Sequence, residues 1–375
     1  MDSWRQHAEH LAGQITRPGS PWAAPVAEVP RHLFVPRWWR DPGQGWTLRD
    51  GESDPQQWAN AAYTDRTLVT MVGSLHADHA TPEDHPSGLP TSSSTMPGLM
   101  VKMFRHAEIQ SGQDVTEIGT GSGYGCALLC SRLGERRVMS IDVNSYLTKA
   151  ATERLDGCGM RPQIVTADAT DTLPGTCDRI VSTVAVHPKI PPAWLSALRP
   201  GGRLVTTLTG MQVIITADRT LDGGATGRVE WDRAGFMGSH HGAGLADLEP
   251  NDAEGEHVGT GRYPVVDVAE AWELRSMFEL DHPGTRHHFR QEADGRRTAW
   301  LNHPDGSWAR AVAEDDAEPI VHQSGPRRLW DDLDGIRHRW LTDGSLPLYG
   351  ARATVDPDGT VHLTRGRWRQ TITTD

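Results

Sequence analysis

The chain has 375 residues, 37% of them hydrophobic, and a formal net charge of −12, which is enough for one large or two modest cores. The acidic balance excludes a broad phosphate-neutralising face, so no nucleic-acid partner is expected. No run approaches the roughly 18 apolar residues that span a membrane, so no membrane partner is expected either.

Three regions succeed one another along the chain. Residues 1 to about 110 read as an N-terminal cap of helical stretches with a polar substrate loop. Met1 to Ser20 has no apolar signal segment. An acidic substrate approaching an acidic protein needs a local basic patch. Arg31, Arg37 and Arg40, and Lys102 and Arg105 after Pro97, are the basic side chains placed to supply one. Of these, Arg31 and Lys102 are taken as substrate-binding. His76, His79 and His85 sit with Asp78 and Asp84 in the loop, and His240-His241 and His287-His288 are adjacent pairs. Scattered histidines in a polar loop lack the ordered second shell of a metal centre, so no metal is expected.

The stretch from Val115 to Gly125 reads V-T-E-I-G-T-G-S-G-Y-G. A short apolar strand delivers Glu117, glycines alternate at Gly119, Gly121 and Gly123, and a helix starts at Tyr124. Glycines there let the backbone turn sharply and approach a ligand, and the helix start offers free N–H groups. A dinucleotide site wants G-x-G-x-x-G. Here the spacing is G-x-G-x-G behind an acidic residue, which suits the ammonium of S-adenosylmethionine (SAM).

Later residues agree. A strand from Arg137 to Ile141 ends in Asp142, whose carboxylate can accept both ribose hydroxyls. A strand from Gln163 to Thr166 leads to Asp168 and Ala169, with Asp168 placed to accept from the adenine amino group. A fourth strand follows Asp178, and the turn Arg199-Pro200-Gly201-Gly202 leads into a fifth. Strands alternating with helices imply a parallel sheet with the ligand across its carboxyl ends. The expected cofactor residues are Glu117, Gly119, Thr120, Gly121, Ser122, Gly123, Tyr124, Asp142, Asp168 and Ala169. The expected fold class is α/β, a Rossmann-like SAM-dependent methyltransferase sheet spanning about 111 to 210. Cys126 and Cys130, one turn apart, are expected to pack against it. With Cys158 and Cys177 they include no C-x-x-C pair, so a reducing cytoplasm is the expected compartment.

Residues from about 211 to 375 read as an additional α+β substrate-recognition region. Asp222-Gly223-Gly224, Asp305-Gly306, Asp343-Gly344 and Asp358-Gly359 read as hairpin turns. Val266 to Phe278 and Pro326 to Leu341 read as helices. Of fourteen tryptophans only Trp194 falls within 111–210. The others flank it, mostly as core, with a few available to line a groove.

Several segments resemble the protein-L-isoaspartate (D-aspartate) O-methyltransferase family over roughly residues 25 to 210. They are Val29-Pro30-Arg31-His32-Leu33-Phe34-Val35-Pro36, Ala62-Tyr63-Thr64-Asp65, Thr91 to Pro97 with Leu99, Met100 and Met103, and the run from Asp178-Arg179-Ile180 to Pro200-Gly201-Gly202. The resemblance implies SAM-dependent methylation of an aspartyl or isoaspartyl carboxyl in a peptide or protein; of oligomeric states, which the sequence leaves open, a monomer is favoured. The ester then closes to a succinimide (aspartimide). Three departures from the family stand out: Thr95 replaces the serine of Ser-x-Pro, the connection from Asp65 to Thr91 is long and polar, and the chain runs on to Asp375. The layout is most similar to actinobacterial members that tailor precursors of ribosomal peptide natural products. General isoaspartyl repair, a small-molecule carboxyl methyltransferase and a non-catalytic SAM-binding module are the alternatives. Thr95, with Ser94 beside it, is the choice for orienting the carboxylate, and either can instead cap the helix at Pro97. Ser93 and Met96 complete the expected substrate-binding set.

Overall fold

The computed structural model describes residues 3–41, 43, 45–186, 188–238 and 248–373. Its N-terminal part contains helices α1 (Ser3–Ile15) and α2 (Ala23–Glu28), strands β1 (Arg37–Arg40) and β2 (Thr47–Asp50), and α3 (Pro55–Ala62). Then come β3 (Leu68–Val72), β4 (Leu75–His76), β5 (Pro90–Ser94) and α4 (Pro97–His106). Asp54 starts α3 by accepting from the Gln57 N–H, with Pro55 in the first turn. The strands form an antiparallel sheet in the order β2-β1-β3-β4, with β5 against β3. The sheet replaces part of the helix-and-loop region expected from sequence. β5 is Pro-Thr-Ser-Ser-Ser, which carries no apolar alternation, and it is a strand because β3 pairs with it.

The centre follows the expected alternation. β6 (Val115–Ile118), α5 (Tyr124–Leu133), β7 (Val138–Asp142), α6 (Ser145–Gly157), β8 (Gln163–Thr166), β9 (Cys177–Val186), α7 (Pro192–Ala197) and β10 (Leu198–Leu208) succeed one another. All four residues of β6 are buried, as a strand covered on both faces requires. Asn144 starts α6 by accepting from the N–H groups of Tyr146 and Leu147. The parallel order is β10-β9-β6-β7-β8. The chain order reverses between β6 and β9, which opens a crevice at the carboxyl ends of these strands. Cys126 and Cys130 are both buried on α5.

The sheet continues past residue 210. β11 (Val213–Arg219) and β12 (Ala225–Arg233) add antiparallel to β10. After β13 (His257–Thr260), α8 (Trp272–Asp281), β14 (Arg286–Gln291), β15 (Arg296–Asn302), β16 (Trp308–Glu314), β17 (Ile320–Ser324) and α9 (Leu329–Asp343), the chain returns as β18 (Arg352–Val355), β19 (Val361–Arg365) and β20 (Trp368–Thr371). β18, β19 and β20 extend the same sheet beyond β12 to ten strands. β13 to β17 form a separate five-stranded antiparallel sheet. One buried apolar cluster joins Ile118, Ile180 and Leu204 to Leu274, Phe278 and Trp330. A boundary near 210 thus falls between two hydrogen-bonded strands.

Three of the four Asp-Gly signals are hairpin turns, joining β11 to β12, β15 to β16 and β18 to β19. The fourth, Asp343-Gly344, ends α9, with Gly344 left-handed at φ 73°. A left-handed glycine serves a tight turn and a helix end equally well, so the dipeptide cannot separate them. α8 begins at Trp272 rather than Val266.

Candidate functional site

A cleft of about 1300 Å³, its mouth included, lies at the carboxyl ends of β6, β7, β8 and β9. Its rear wall is the glycine turn. Gly119, Gly121 and Gly123 have φ of 92°, 51° and 89°, a region that side chains avoid. Thr183 Oγ1 clasps the turn by donating to the carbonyls of Ile118 and Gly119. A Cβ on Gly119 would stand 2.6 Å from that oxygen, and one on Gly123 3.0 Å from Ala151. The first glycine thus admits the clasp and the third packs α5 against α6.

Glu117 lies at the end of β6 and lines the cleft. It is 1% exposed. Its Oε2 accepts from Ser140 Oγ at 2.7 Å, and Ser140 meets Thr120 Oγ1 at 2.7 Å. Burial pushes its pKa up to about 8; the Ser140 bond opposes this and the Asp142 charge adds to it. A carboxyl held this way gains most from a cation brought into the cleft. Gly125 makes room for it, since a Cβ there would collide with Oε1 at 2.2 Å.

Asp142 and Asp168 end β7 and follow β8, and both line the cleft. Asp142 accepts from the N–H groups of Gly121 and Asn144, so it ties the glycine turn to α6. Asp168 accepts from the N–H and hydroxyl of Thr170. These bonds orient the two carboxylates at the cleft wall. Trp194, fully buried on α7, also lines the cleft and donates from Nε1 to Ala169 O at 2.8 Å. All ten residues expected to hold the cofactor are present, nine of them directly on the cleft wall. The tenth, Gly123, sits one residue behind at the helix start. This cradle of glycines, a buried acid and two strand-end carboxylates fits an adenosyl ligand with an amino-acid tail.

A further part of the wall is built from β5 and the residues leading from it into α4. Ser93 and Thr95 line the cleft; Ser94 does not. Side chains alternate along a strand, so Ser94 points into the interior, fully buried with an unpartnered hydroxyl. Met96 caps α4 and packs among apolar side chains, away from the cleft lining. Neither Ser94 nor Thr95 caps α4 through its side chain. That role falls to Asp65, which accepts from the Gly98 N–H at 2.6 Å.

Arg31 and Lys102 are not brought to the cleft. Arg31 is fully buried and donates to the main-chain carbonyls of Ala62, Thr64, Arg66, Ser94 and Thr95. Burial lowers its pKa to about 10. It clamps the Ala62–Arg66 segment to the end of β5. Lys102 pairs with Asp232 on β12 at 3.2 Å. A basic residue near a motif reads as a ligand in sequence; only three-dimensional burial and partners reveal a clamp and a surface pair.

Sequence reasoning passed over several wall residues. Thr67, Leu99, Met100, Thr183 and Val184 line the cleft, as do Gly235 to Gly238 beyond β12. Ala185 N–H donates to Met237 O at 2.8 Å, so the segment after β12 closes the cleft from above. No local motif marks those glycines. In the polar loop, Asp78 accepts from Tyr146 Oη at 2.8 Å and pairs with Arg154 of α6, and the His79 ring lies 4.3 Å from Tyr146. His76 is buried, which lowers its pKa to about 4. No group of three or more potential metal ligands occurs among the described residues. His240 and His241 lie outside them.

The family model for protein-L-isoaspartate (D-aspartate) O-methyltransferase matches residues 55–232. A protein-L-isoaspartate O-methyltransferase of Aeropyrum pernix is 27% identical over 232 residues, covering 59% of this chain and 75% of that one. One from Ignicoccus hospitalis is 30% identical over 208 residues, covering 54% and 81%. A solved structure of a protein-L-isoaspartate O-methyltransferase superposes with a TM-score of 0.52 at 16% identity, covering 96% of this chain and 99% of that chain. That likeness concerns the fold, and it reaches into the region beyond residue 210.

Proposed function

The chain belongs to the protein-L-isoaspartate (D-aspartate) O-methyltransferase family, and from that premise we propose that its cleft methylates a side-chain carboxyl of a peptide or protein. The observation that carries the reading is one cleft shared by two sets of residues: Glu117, Asp142 and Asp168, suited to the cofactor, and the hydroxyl residues Ser93 and Thr95. SAM supplies an activated methyl group on a sulfonium. Glu117 would hold its ammonium, Asp142 the ribose and Asp168 the adenine amino group. The acceptor carboxylate is already a nucleophile at neutral pH, so no side chain need act as a base. An oxygen lone pair of the carboxylate forms the new C–O bond, and the C–S bond breaks with its electron pair left on sulfur. No proton moves. What the chain contributes is desolvation and alignment, worth up to roughly 7–11 kcal/mol when geometry is well held. The ester then closes, off the enzyme, by attack of the following backbone nitrogen with loss of methanol.

Isoaspartyl repair is the substrate reading favoured by the names of the relatives. Tailoring of one dedicated peptide is the second. It is favoured by the docking of the long 66–90 connection onto α6 through Asp78 and by the closure of the cleft by Gly235 to Gly238. Mass spectrometry of an isoaspartyl peptide and its aspartyl counterpart with SAM separates the two. Transfer to generic isoaspartyl peptides supports repair; refusal of them with transfer to an aspartyl peptide supports tailoring.

A further inference from the structure

β3 and β5 pair with Leu68 opposite Ser94 and Val69 opposite Ser93. Carried one step past the ladder, that register sets Thr67 opposite Thr95. Both residues line the cleft. Directly opposed residues of an antiparallel pair share a face, with Cβ atoms roughly 4.5–5.5 Å apart. Two hydroxyl donors at that spacing can meet the two oxygens of one carboxylate.

Thr67 is prepared as a donor. Its Oγ1 accepts from the Met96 N–H at 3.2 Å. A hydroxyl has one hydrogen and two lone pairs, so this bond fixes the oxygen and leaves the hydrogen to give. The two strands are held in place by one group. Arg31 Nη2 donates to Arg66 O at 2.9 Å and to Thr95 O at 3.2 Å. The peptide entering Thr67 and the peptide leaving Thr95 therefore hang from the same nitrogen of a fully buried, planar cation.

We propose that Thr67 and Thr95 form a paired hydroxyl seat for the acceptor carboxylate, with Arg31 as the positioning residue behind both. This rests on the carboxyl-transfer reading above. Neutral donors suit the chemistry: they orient the anion without the full charge neutralisation of a lysine or arginine partner, so its oxygen stays nucleophilic. Bonds to a charged acceptor are about twice as strong as neutral ones. The ester has lost that charge, so the seat that holds the substrate releases the product.

The test uses the full chain and a short peptide with one isoaspartyl residue, or its aspartyl counterpart if that is what the wild type methylates. Thr67→Val, Thr95→Val and the double variant are compared with Thr67→Ser. Peptide affinity is read by calorimetry with S-adenosylhomocysteine present, SAM affinity separately, and methyl transfer in single turnover. Thr67→Val is expected to weaken peptide binding or transfer about tenfold, one charge-assisted bond, with SAM affinity unchanged. Thr67→Ser recovers most of that loss. The double variant loses less than the product of the single losses, as for two donors on one group. Thr67→Val behaving as wild type, or two losses that multiply independently, overturns the paired seat. So does Thr67→Ser failing like Thr67→Val, since the hydroxyl is then not what matters. A wild type that binds SAM and methylates no peptide carboxyl overturns the carboxyl-transfer reading itself and the seat with it.

Discussion

Trp194 Nε1 donates to the carbonyl oxygen of Ala169 at 2.8 Å, tying α7 to the loop that carries Asp168. The indole also forms part of the cleft wall. Trp194→Phe keeps most of the ring and removes the donor, leaving a buried carbonyl unpaired. SAM affinity should fall by about 1–2 kcal/mol, read by calorimetry, while transfer at saturating SAM stays near wild type. Unchanged affinity in a folded variant means the loop is set without this bond.

Asp142 holds the N–H groups of Gly121 and Asn144, and it is the residue proposed to meet the ribose. Asp142→Ala should weaken SAM by roughly 1.5–3 kcal/mol through charge-assisted bonds. Titration against SAM checks this, and full affinity would place the ribose elsewhere.

Glu117 links the site to pH. Its folded pKa, about 8, lies above the ordinary 4.5 because of burial, so the ligand-free protein binds more protons folded than unfolded between those values. Stability from this group is therefore fully present below about 4.5 and is lost as pH rises to about 8. Glu117→Gln should flatten that decline and stabilise the ligand-free protein at pH 8 by a few kcal/mol, measured by urea unfolding across pH. An ammonium in the cleft reverses the preference, so SAM binding near pH 7 should release close to one proton, and its affinity should rise with pH up to about 8. Calorimetry in buffers of different ionisation enthalpy reads that proton; no release would separate Glu117 from the ammonium.

Arg31 carries a structural burden whatever the substrate. Arg31→Met leaves carbonyls of Ala62, Thr64, Arg66, Ser94 and Thr95 without their donor. The cost should exceed about 3 kcal/mol, seen as a lower urea midpoint with an unchanged slope. A loss under about 1 kcal/mol would mean the segments find other partners.

A chain cut near Gly210 loses β11, which pairs along β10, and loses Gly235 to Gly238 from the cleft wall. An unpaired edge and uncovered apolar surface promote association. The truncated chain should aggregate, and a soluble fraction should bind SAM more weakly than the full chain, by light scattering and calorimetry. A monodisperse fragment with full SAM affinity would show that the cofactor site is complete by residue 210.

The legible parts of this molecule were those with local physical signatures. The glycine turn, Glu117, and the strand ends at Asp142 and Asp168 could be placed from sequence because strand, turn and helix succeed one another within a few residues. Three of the four Asp-Gly turns were legible for the same reason. Non-local features were not. β5 has no apolar pattern and exists through β3. Arg31 reads as a ligand and becomes a clamp because five carbonyls from two distant segments converge on it. Thr67 carries no motif, and only its register against Thr95 brings it to the cleft. Gly235 to Gly238 return to the site over a sheet whose order no local pattern encodes.

The central claim is methyl transfer to a side-chain carboxyl in this cleft. The most direct measurement is mass spectrometry of an isoaspartyl peptide and its aspartyl counterpart after incubation with SAM and the full chain. The account predicts that one of them gains a single methyl on that carboxyl, followed by loss of methanol as the imide closes, and that Thr95→Val slows the gain. A protein that binds SAM with normal affinity and leaves both peptides unmodified would contradict it.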